Sequence, residues 1–476
     1  MIRLLLIAIF APLIGAVIIP LVGKLSERLR DIFALLLVMI SFACSVAMLP
    51  AALANNPVHV EVWLPLGLSF GFMADNLAIF MAMVSSFIGG IIVFYSIAYI
   101  DHTRNKSEYY LMVTLFLGAM MGLVYSTNII FMYIFWEMSA VSCWRLIAYY
   151  REPENIKRGD KAFIITVFGA LVMLIGFLLI YQQTGTFDIT EMQGAEIPNL
   201  AVGLILVGIF SKSATLPLHT WLPDAGVAPA PVTSLLHAAV LVKIGIYAYA
   251  RFFLFSFVIS DVWHTVIPII VATSALVSAG AALRDNDLKR IIAYSTVSQI
   301  AFIFLGLSTG TGIGVAGGLL YIMMHSIAKG GLFLCAGIIE SRTGTKDIRK
   351  LGGLIKTMPL TAFSFLICGF SVMGLPPFGG FFSKFLVING AVDAQNPWIA
   401  AVFILGTLMT VLYLMRAFKA VFLGDVTEVT KSKREGSPTM VASVVALAVL
   451  SLVGGLLIYY PALFVQAIVA QIGGML

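Results

Sequence analysis

Charge is the scarce commodity in this chain: only 11% of its 476 residues are Asp, Glu, Lys or Arg, while 60% are hydrophobic. So little polar surface excludes a single soluble core, because the apolar residues outnumber what one interior can hide, and it makes lipid the solvent for most of the chain. Cysteine is nearly absent as well. Cys44, Cys143, Cys335 and Cys368 sit in apolar stretches with no C-x-x-C spacing, which excludes a metal cluster or disulfide framework and leaves small buried hydrophobes. No glycine-rich phosphate loop follows a strand-like run, so no nucleotide or other cofactor site is read, and neither a metal site nor a nucleic-acid partner is expected.

What is present is a succession of long apolar runs. A hydrocarbon slab of about 30 Å takes roughly 20 apolar residues per helix. The runs give about fourteen spans, near 2–22, 32–54, 74–99, 109–125, 128–148, 162–182, 198–223, 229–256, 263–283, 290–308, 313–340, 359–390, 397–423 and 439–470. The fold class expected is therefore an all-α polytopic membrane protein, with the first run a retained helix rather than a cleaved signal. Lipid is its first partner.

Positive charge tests this count, because Lys and Arg in short loops resist translocation. Twenty of the 29 Lys and Arg fall in alternate loops, near 24–30, 104–106, 151–161, 284–290, 342–356 and 431–434. The intervening loops near 55–73, 126–127, 183–197, 257–262, 309–312 and 391–396 hold none. That alternation predicts an even number of spans with both termini outside, Arg3 being a lone exception, and the loop at 224–228 carries no positive charge and is silent; the membrane expected is the cell inner (cytoplasmic) one.

Several charges are left inside spans. Arg251, Arg416 and Lys419 lie near expected helix ends and can snorkel to the interface. Lys212, Lys243, Lys329 and Lys384 cannot all do so, and Glu137 is the one acid placed deep within a span. A charge at the bilayer centre costs about 2.5–3.5 kcal/mol on insertion scales, so these groups must face protein or a wet cavity. Burial disfavours the charged form of a lysine and a nearby carboxylate favours it, so an amine under both influences switches charge near neutral pH, which is what a proton relay needs. A Glu137–Lys212 pair meets that requirement if their helices touch. The alternative is that each charge merely anchors a neighbouring helix. His237 lies six residues before Lys243, nearly opposite it on an ideal helix, whereas His325 and Lys329 are four apart on one face.

Two spans carry helix breakers beside their lysines. Pro217 follows Lys212 by five residues, and Gly374-Leu375-Pro376-Pro377-Phe378-Gly379-Gly380 precedes Lys384. Broken helices in both halves of a chain are the signature of an inverted-repeat transporter with its ion site near mid-membrane; kinks that only shape packing are the plainer alternative.

The stretches Lys212–Ala225 (KSATLPLHTWLPDA), Ala228–Ala239 (APAPVTSLLHAA), Asp287–Gln299 (DLKRIIAYSTVSQ), His325–Leu334 (HSIAKGGLFL) and Gly374–Lys384, with Trp136-Glu137 and Lys161-Ala162-Phe163 upstream, closely resemble the antiporter-like subunits shared by respiratory complex I, Mrp sodium/proton antiporters and energy-converting membrane-bound hydrogenases. The resemblance covers about residues 70–425. It implies two inverted five-helix repeats, with the seventh and twelfth spans discontinuous, and a division into 1–108, 109–256, 257–423 and 424–476. It also implies roles: Glu137 and Lys212 as a gating pair, Lys243 or His237 as the relay group of the eighth span, His325 and Lys329 as central groups, and Lys384 as the exit group. Family members carry no redox cofactor and work beside other membrane subunits, including related antiporter-like ones, so the chain is expected to be a non-redox subunit rather than an enzyme by itself. Some members have an aspartate where Ala170 stands, and Trp144-Arg145 fills a stretch that is usually apolar or small; Arg145 is expected to reach the positive interface or to bias Glu137. Lys243 resembles one complex I subtype and Lys384 another, so the subtype stays open. Three functions remain in play: a proton-translocating subunit, with or without sodium exchange, a stand-alone carrier of a small solute, and a non-conducting scaffold.

Overall fold

The computed structural model describes residues 1–63 and 69–472, so parts of the expected loop at 55–73 and of the segment 424–476 lie outside the described residues. The chain begins with α1 (Ile2–Leu25) and α2 (Glu27–Leu53), which pack on each other as a hairpin around Ser26. A strand pair, β1 (Val58–Trp63) and β2 (Ser69–Ala74), then stands where a plain loop was expected, with Val58 opposite Ala74. Valines at 58, 60 and 62 suit an extended backbone, and the alternation is too short to register among spans of twenty residues. Next come α3 (Asn76–Tyr99), α4 (Lys106–Tyr125), α5 (Ile129–Ile147) and α6 (Pro153–Thr184). The chain continues through β3 (Ala195–Glu196), α7 (Asn199–Lys212), α8 (Trp221–Asp224), α9 (Ala230–Ser234), α10 (Leu241–Phe253) and β4 (Phe257–Val258). The remainder is α11 (Asp261–Arg284), α12 (Leu288–Ser308), α13 (Gly312–Thr343), α14 (Pro359–Met373), α15 (Gly379–Asp393), α16 (Pro397–Phe422), α17 (Pro438–Leu456) and α18 (Tyr459–Ile472).

Among the described residues, twelve helical segments are long and apolar enough to cross a membrane, counting Ala230–Phe253 as one. The protein is thus a nearly all-helical, multi-pass membrane protein. The spans expected at 198–223 and 359–390 are each interrupted, the first after Lys212 and the second between Met373 and Gly379. The run at 439–470 departs from expectation: it is two helices, α17 and α18, parted at Leu457–Ile458. Gly454 and Gly455 at the end of α17 weaken the helix there, although hydropathy continues unbroken.

Burial sorts the helices into a centre and a rim. Ala230–Phe253 is wholly buried and α12 and α13 almost so, while α1, α2, α6, α16 and α17 bury one face and present apolar side chains outward. Lys243, His325 and Lys329 all ride on the central helices. The silent loop at 224–228 acquires a side from its ion pairs. Asp224 Oδ2 accepts from Arg158 and from Lys161 Nζ at 2.8 Å, and its Oδ1 accepts from Arg290 Nη1 at 2.7 Å, which ties it to the positively charged loops. Loops of the charge-free set are joined instead by backbone: Thr127 N donates to Gly71 O at 3.0 Å, Gly194 N donates to Ser256 O at 2.8 Å, and β3 pairs with β4.

Candidate functional site

Lys212 is the last residue of α7, and its amine is fully buried. Nζ donates to the Trp136 carbonyl of α5 at 3.1 Å and lies 5.4 Å from the centre of the Trp136 ring. The helix cannot continue past it: Ala214 takes a positive φ of 52°, and Thr215 N turns back to Phe210 O at 2.9 Å. Trp221 Nε1 from α8 donates to the freed Ser211 carbonyl at 2.9 Å. The break is therefore hydrogen-bonded internally, as backbone in a lipid environment requires.

Glu137 follows Trp136 directly, so its helix does meet that of Lys212. The ion pair expected between them is not formed, however. Lys212 takes the backbone carbonyl, and Glu137 Oε1 is buried without a hydrogen-bond partner, its residue only half-buried. Arg145 does not approach Glu137; it pairs with Glu108, which also accepts from Arg151 Nη2 at 2.8 Å. Ala170 is fully buried on α6, where the family aspartate would stand.

The eighth span holds the tightest contact among the expected groups. Between α9 and α10 the chain widens into a π-helical turn at Leu235–Ala239, closed by Val240 N donating to Leu235 O at 3.0 Å. Such turns shift the register of all that follows and recur at functional sites. Lys243 Nζ reaches back to the His237 backbone carbonyl at 3.2 Å, a contact that does not involve the imidazole. The same amine lies 2.7 Å from His325 Nδ1 on α13. Both ring nitrogens of His237 are buried without partners, and the ring lies 4.4 Å from that of Phe333.

His325 and Lys329 share a helix but not a partner. Lys329 Nζ donates to the Ile292 carbonyl at 3.1 Å and to Ser295 Oγ at 2.6 Å, both on α12. Beyond the second break, Lys384 on α15 has no hydrogen-bond partner, and its amine lies 4.5 Å from the Phe302 ring centre and 5.8 Å from that of Tyr321. Thus Lys212 lies beside the Glu137 segment, Lys243 joins the His237 carbonyl to the His325 ring, and Lys329 and Lys384 flank a cluster of neutral polar groups. That cluster, Ser295, Gln299, Tyr321, Thr410 and Tyr413, was not anticipated; its only signal was the Ser295–Gln299 spacing of four on one helix face. Among the described residues, no three His, Cys, Asp or Glu side chains stand close enough to hold a metal ion, and all four cysteines are buried.

Two positive residues turn inward. Arg251 does not snorkel: it is 3% exposed and makes a two-pronged ion pair with Asp75, Nη1 to Oδ2 at 2.6 Å and Nη2 to Oδ1 at 2.8 Å, with Nε donating to Tyr247 Oη. Lys289, counted with a loop, is 1% exposed, and its amine lies 2.5 Å from Glu340 Oε2 and 3.1 Å from the Ala228 carbonyl. Arg416 behaves as expected of a helix-end cation, donating to the Leu283 and Asp285 carbonyls where α11 ends.

The family model described as NADH:quinone oxidoreductase/Mrp antiporter, TM, matches residues 126–410, from the turn between α4 and α5 to the middle of α16. The chain belongs to this family. A second model, NADH-Ubiquinone oxidoreductase (complex I), chain 5 N-terminus, matches residues 63–110. Among curated relatives, Na(+)/H(+) antiporter subunit A1 of Staphylococcus haemolyticus is 33% identical over 98% of the chain, and its counterpart in Staphylococcus aureus is 32% identical over the same share. The chain spans 62% of the length of these relatives. Two solved structures share the antiporter-family fold at 24% identity: the Mrp complex from Dietzia sp. DQ12-45-1b, at a TM-score of 0.90 over 99% of this chain and 98% of that one, and the archaeal membrane-bound sulfane sulfur reductase, at 0.87 over 98% and 97%.

Proposed function

We propose that the chain is an ion-translocating subunit of a larger membrane complex, carrying protons, in exchange for sodium or coupled to a redox partner, along Glu137, Lys212, Lys243 with His237 and His325, Lys329 and Lys384. The observation that carries this reading is the 2.7 Å contact between Lys243 Nζ and His325 Nδ1, both fully buried and on different central helices. An amine donating to an imidazole can pass its proton on, and a packing anchor needs no such acceptor. The relatives named as Na(+)/H(+) antiporter subunits support it, as do broken helices beside Lys212 and Lys384. On this reading the chain sits in the cytoplasmic membrane with both termini outside, its two five-helix repeats fall within 109–256 and 257–423, and its partners are other membrane subunits.

The test uses the chain purified with whatever membrane subunits accompany it and reconstituted into liposomes with an enclosed pH dye. Lys212→Ala lowers driven ion transport by about 100-fold, the usual loss when a proton-transfer group is removed. Unchanged transport in correctly inserted Lys212→Ala protein returns the chain to the scaffold reading, and full activity of the chain alone favours a solute carrier.

A further inference from the structure

Between Lys329 and Lys384 stand neutral side chains that no role has yet claimed. Lys329 Nζ donates to Ser295 Oγ at 2.6 Å, and Tyr413 Oη donates to the same oxygen at 2.8 Å. Gln299 Nε2 donates to Tyr413 Oη at 3.3 Å and to Thr410 Oγ1 at 3.2 Å. On its other side, Gln299 Oε1 accepts from Tyr321 Oη at 2.6 Å. The Tyr321 ring then faces the unpartnered Lys384 amine. Every member of this array is at most 3% exposed.

Hydroxyl groups relay protons well, because each can accept one on a lone pair while releasing another. A carboxamide cannot: its N–H hydrogens are held at any pH near neutrality, and its oxygen is scarcely basic. From Lys329 to Tyr321 the array is therefore continuous as hydrogen bonds and interrupted as a proton wire at Gln299, while Lys384 meets it only at the Tyr321 ring. The orientation of the amide is also dictated. Thr410 Oγ1 commits its own hydrogen to the Gly406 carbonyl at 2.7 Å, so toward Gln299 it can only accept. That turns Nε2 to Thr410 and Tyr413 and leaves Oε1 to hold the Tyr321 hydrogen.

We infer that Gln299 is an insulating gate, a positioning residue that keeps the Lys329 and Lys384 amines in separate proton compartments until the working complex rearranges around it. This rests on the proposed lysine path. It assigns the amide a purpose that a plain helix staple lacks: a continuous wire between two amines would drain the gradient the complex builds.

The test reads leak rather than transport. The complex is reconstituted in liposomes, a pH gradient is imposed without sodium or any driving reaction, and its decay is followed with the enclosed dye. Gln299→Glu keeps the shape but supplies a carboxyl that can accept from one tyrosine and donate to the other, and the gradient collapses about tenfold faster than in the wild type, a modest gain for an added proton-transfer group. Gln299→Leu holds the gradient as the wild type does, though driven transport falls. Should a buried carboxyl prevent assembly, Gln299→His carries the same expectation. Wild-type leak in whichever of these variants assembles overturns the gate, and so does equal leak in the Glu and Leu variants, which would mark loosened packing. Lys329→Met separates the two levels: if it retains full driven transport the path itself falls, whereas lost transport there with no leak from Gln299→Glu removes the gate alone.

Discussion

The two interrupted helices hold their lysines in contrasting ways. Lys212 ends the first half-helix, where the exposed carbonyls of the last turn favour a cation, and it has a hydrogen bond to the Trp136 carbonyl besides the indole face. Lys384 lies in the second turn after its break, so the nearer helix end is the positive one, and its amine has only aromatic faces for company. One amine is held by dipoles aimed at it. The other is confined without a polar partner.

A third buried cation calibrates the comparison. Arg251 is fully paired, with Asp75 and Tyr247 around it. Replacing it as Arg251→Leu strands the Asp75 carboxylate and is expected to cost about 3–5 kcal/mol of stability, the largest effect foreseen, measured as a fall in the unfolding midpoint in detergent. The lysines come next, with opposite signs. Lys212→Met removes a hydrogen bond from a charged donor and lowers stability by about 1.5–3 kcal/mol. Lys384→Met keeps the aliphatic stem but removes a buried group with no partner, and raises stability by about 1 kcal/mol once the lost aromatic contact is set against the gain. Loss of stability in both lysine variants would erase the distinction between the two breaks.

Much of this was legible because charge in lipid is expensive. Lys212, Lys243, Lys329 and Lys384 announce themselves by position alone, and all four are buried. Pro217 and the Gly374–Gly380 stretch marked the two breaks for a similar reason, since they cannot continue a helix. The signals failed where the cost is hidden. Ser295, Gln299, Tyr321, Thr410 and Tyr413 are neutral, are tolerated in any membrane helix, and stand out only when three helices bring them together. Arg251 and Lys289 looked harmless because they fall near helix ends, yet an acid from a distant segment, Asp75 or Glu340, lets each go inward. The π-turn at Leu235–Ala239 also went unread, because nothing in that stretch signals the extra residue.

The smallest effect sharpens the contrast most, because it isolates the aromatic contribution. Phe302 touches more than the Lys384 amine: its ring stands edge-on to Phe403 at 4.6 Å, so Phe302→Leu alone mixes a core defect with the lost cation–π contact. A double-mutant cycle with Lys384→Met cancels the core term, since the defect is common to both backgrounds. The remaining coupling between Phe302 and Lys384 is expected at about 0.5–1 kcal/mol, read from unfolding midpoints. The matching cycle of Trp136→Leu with Lys212→Met should give less. Its amine is farther from the ring, 5.4 Å against 4.5 Å, and the Trp136 carbonyl that holds it survives the substitution. A larger coupling at Trp136 than at Phe302 would mean that aromatic faces, and not dipoles, hold the first lysine, and the two breaks would then differ in degree rather than in kind.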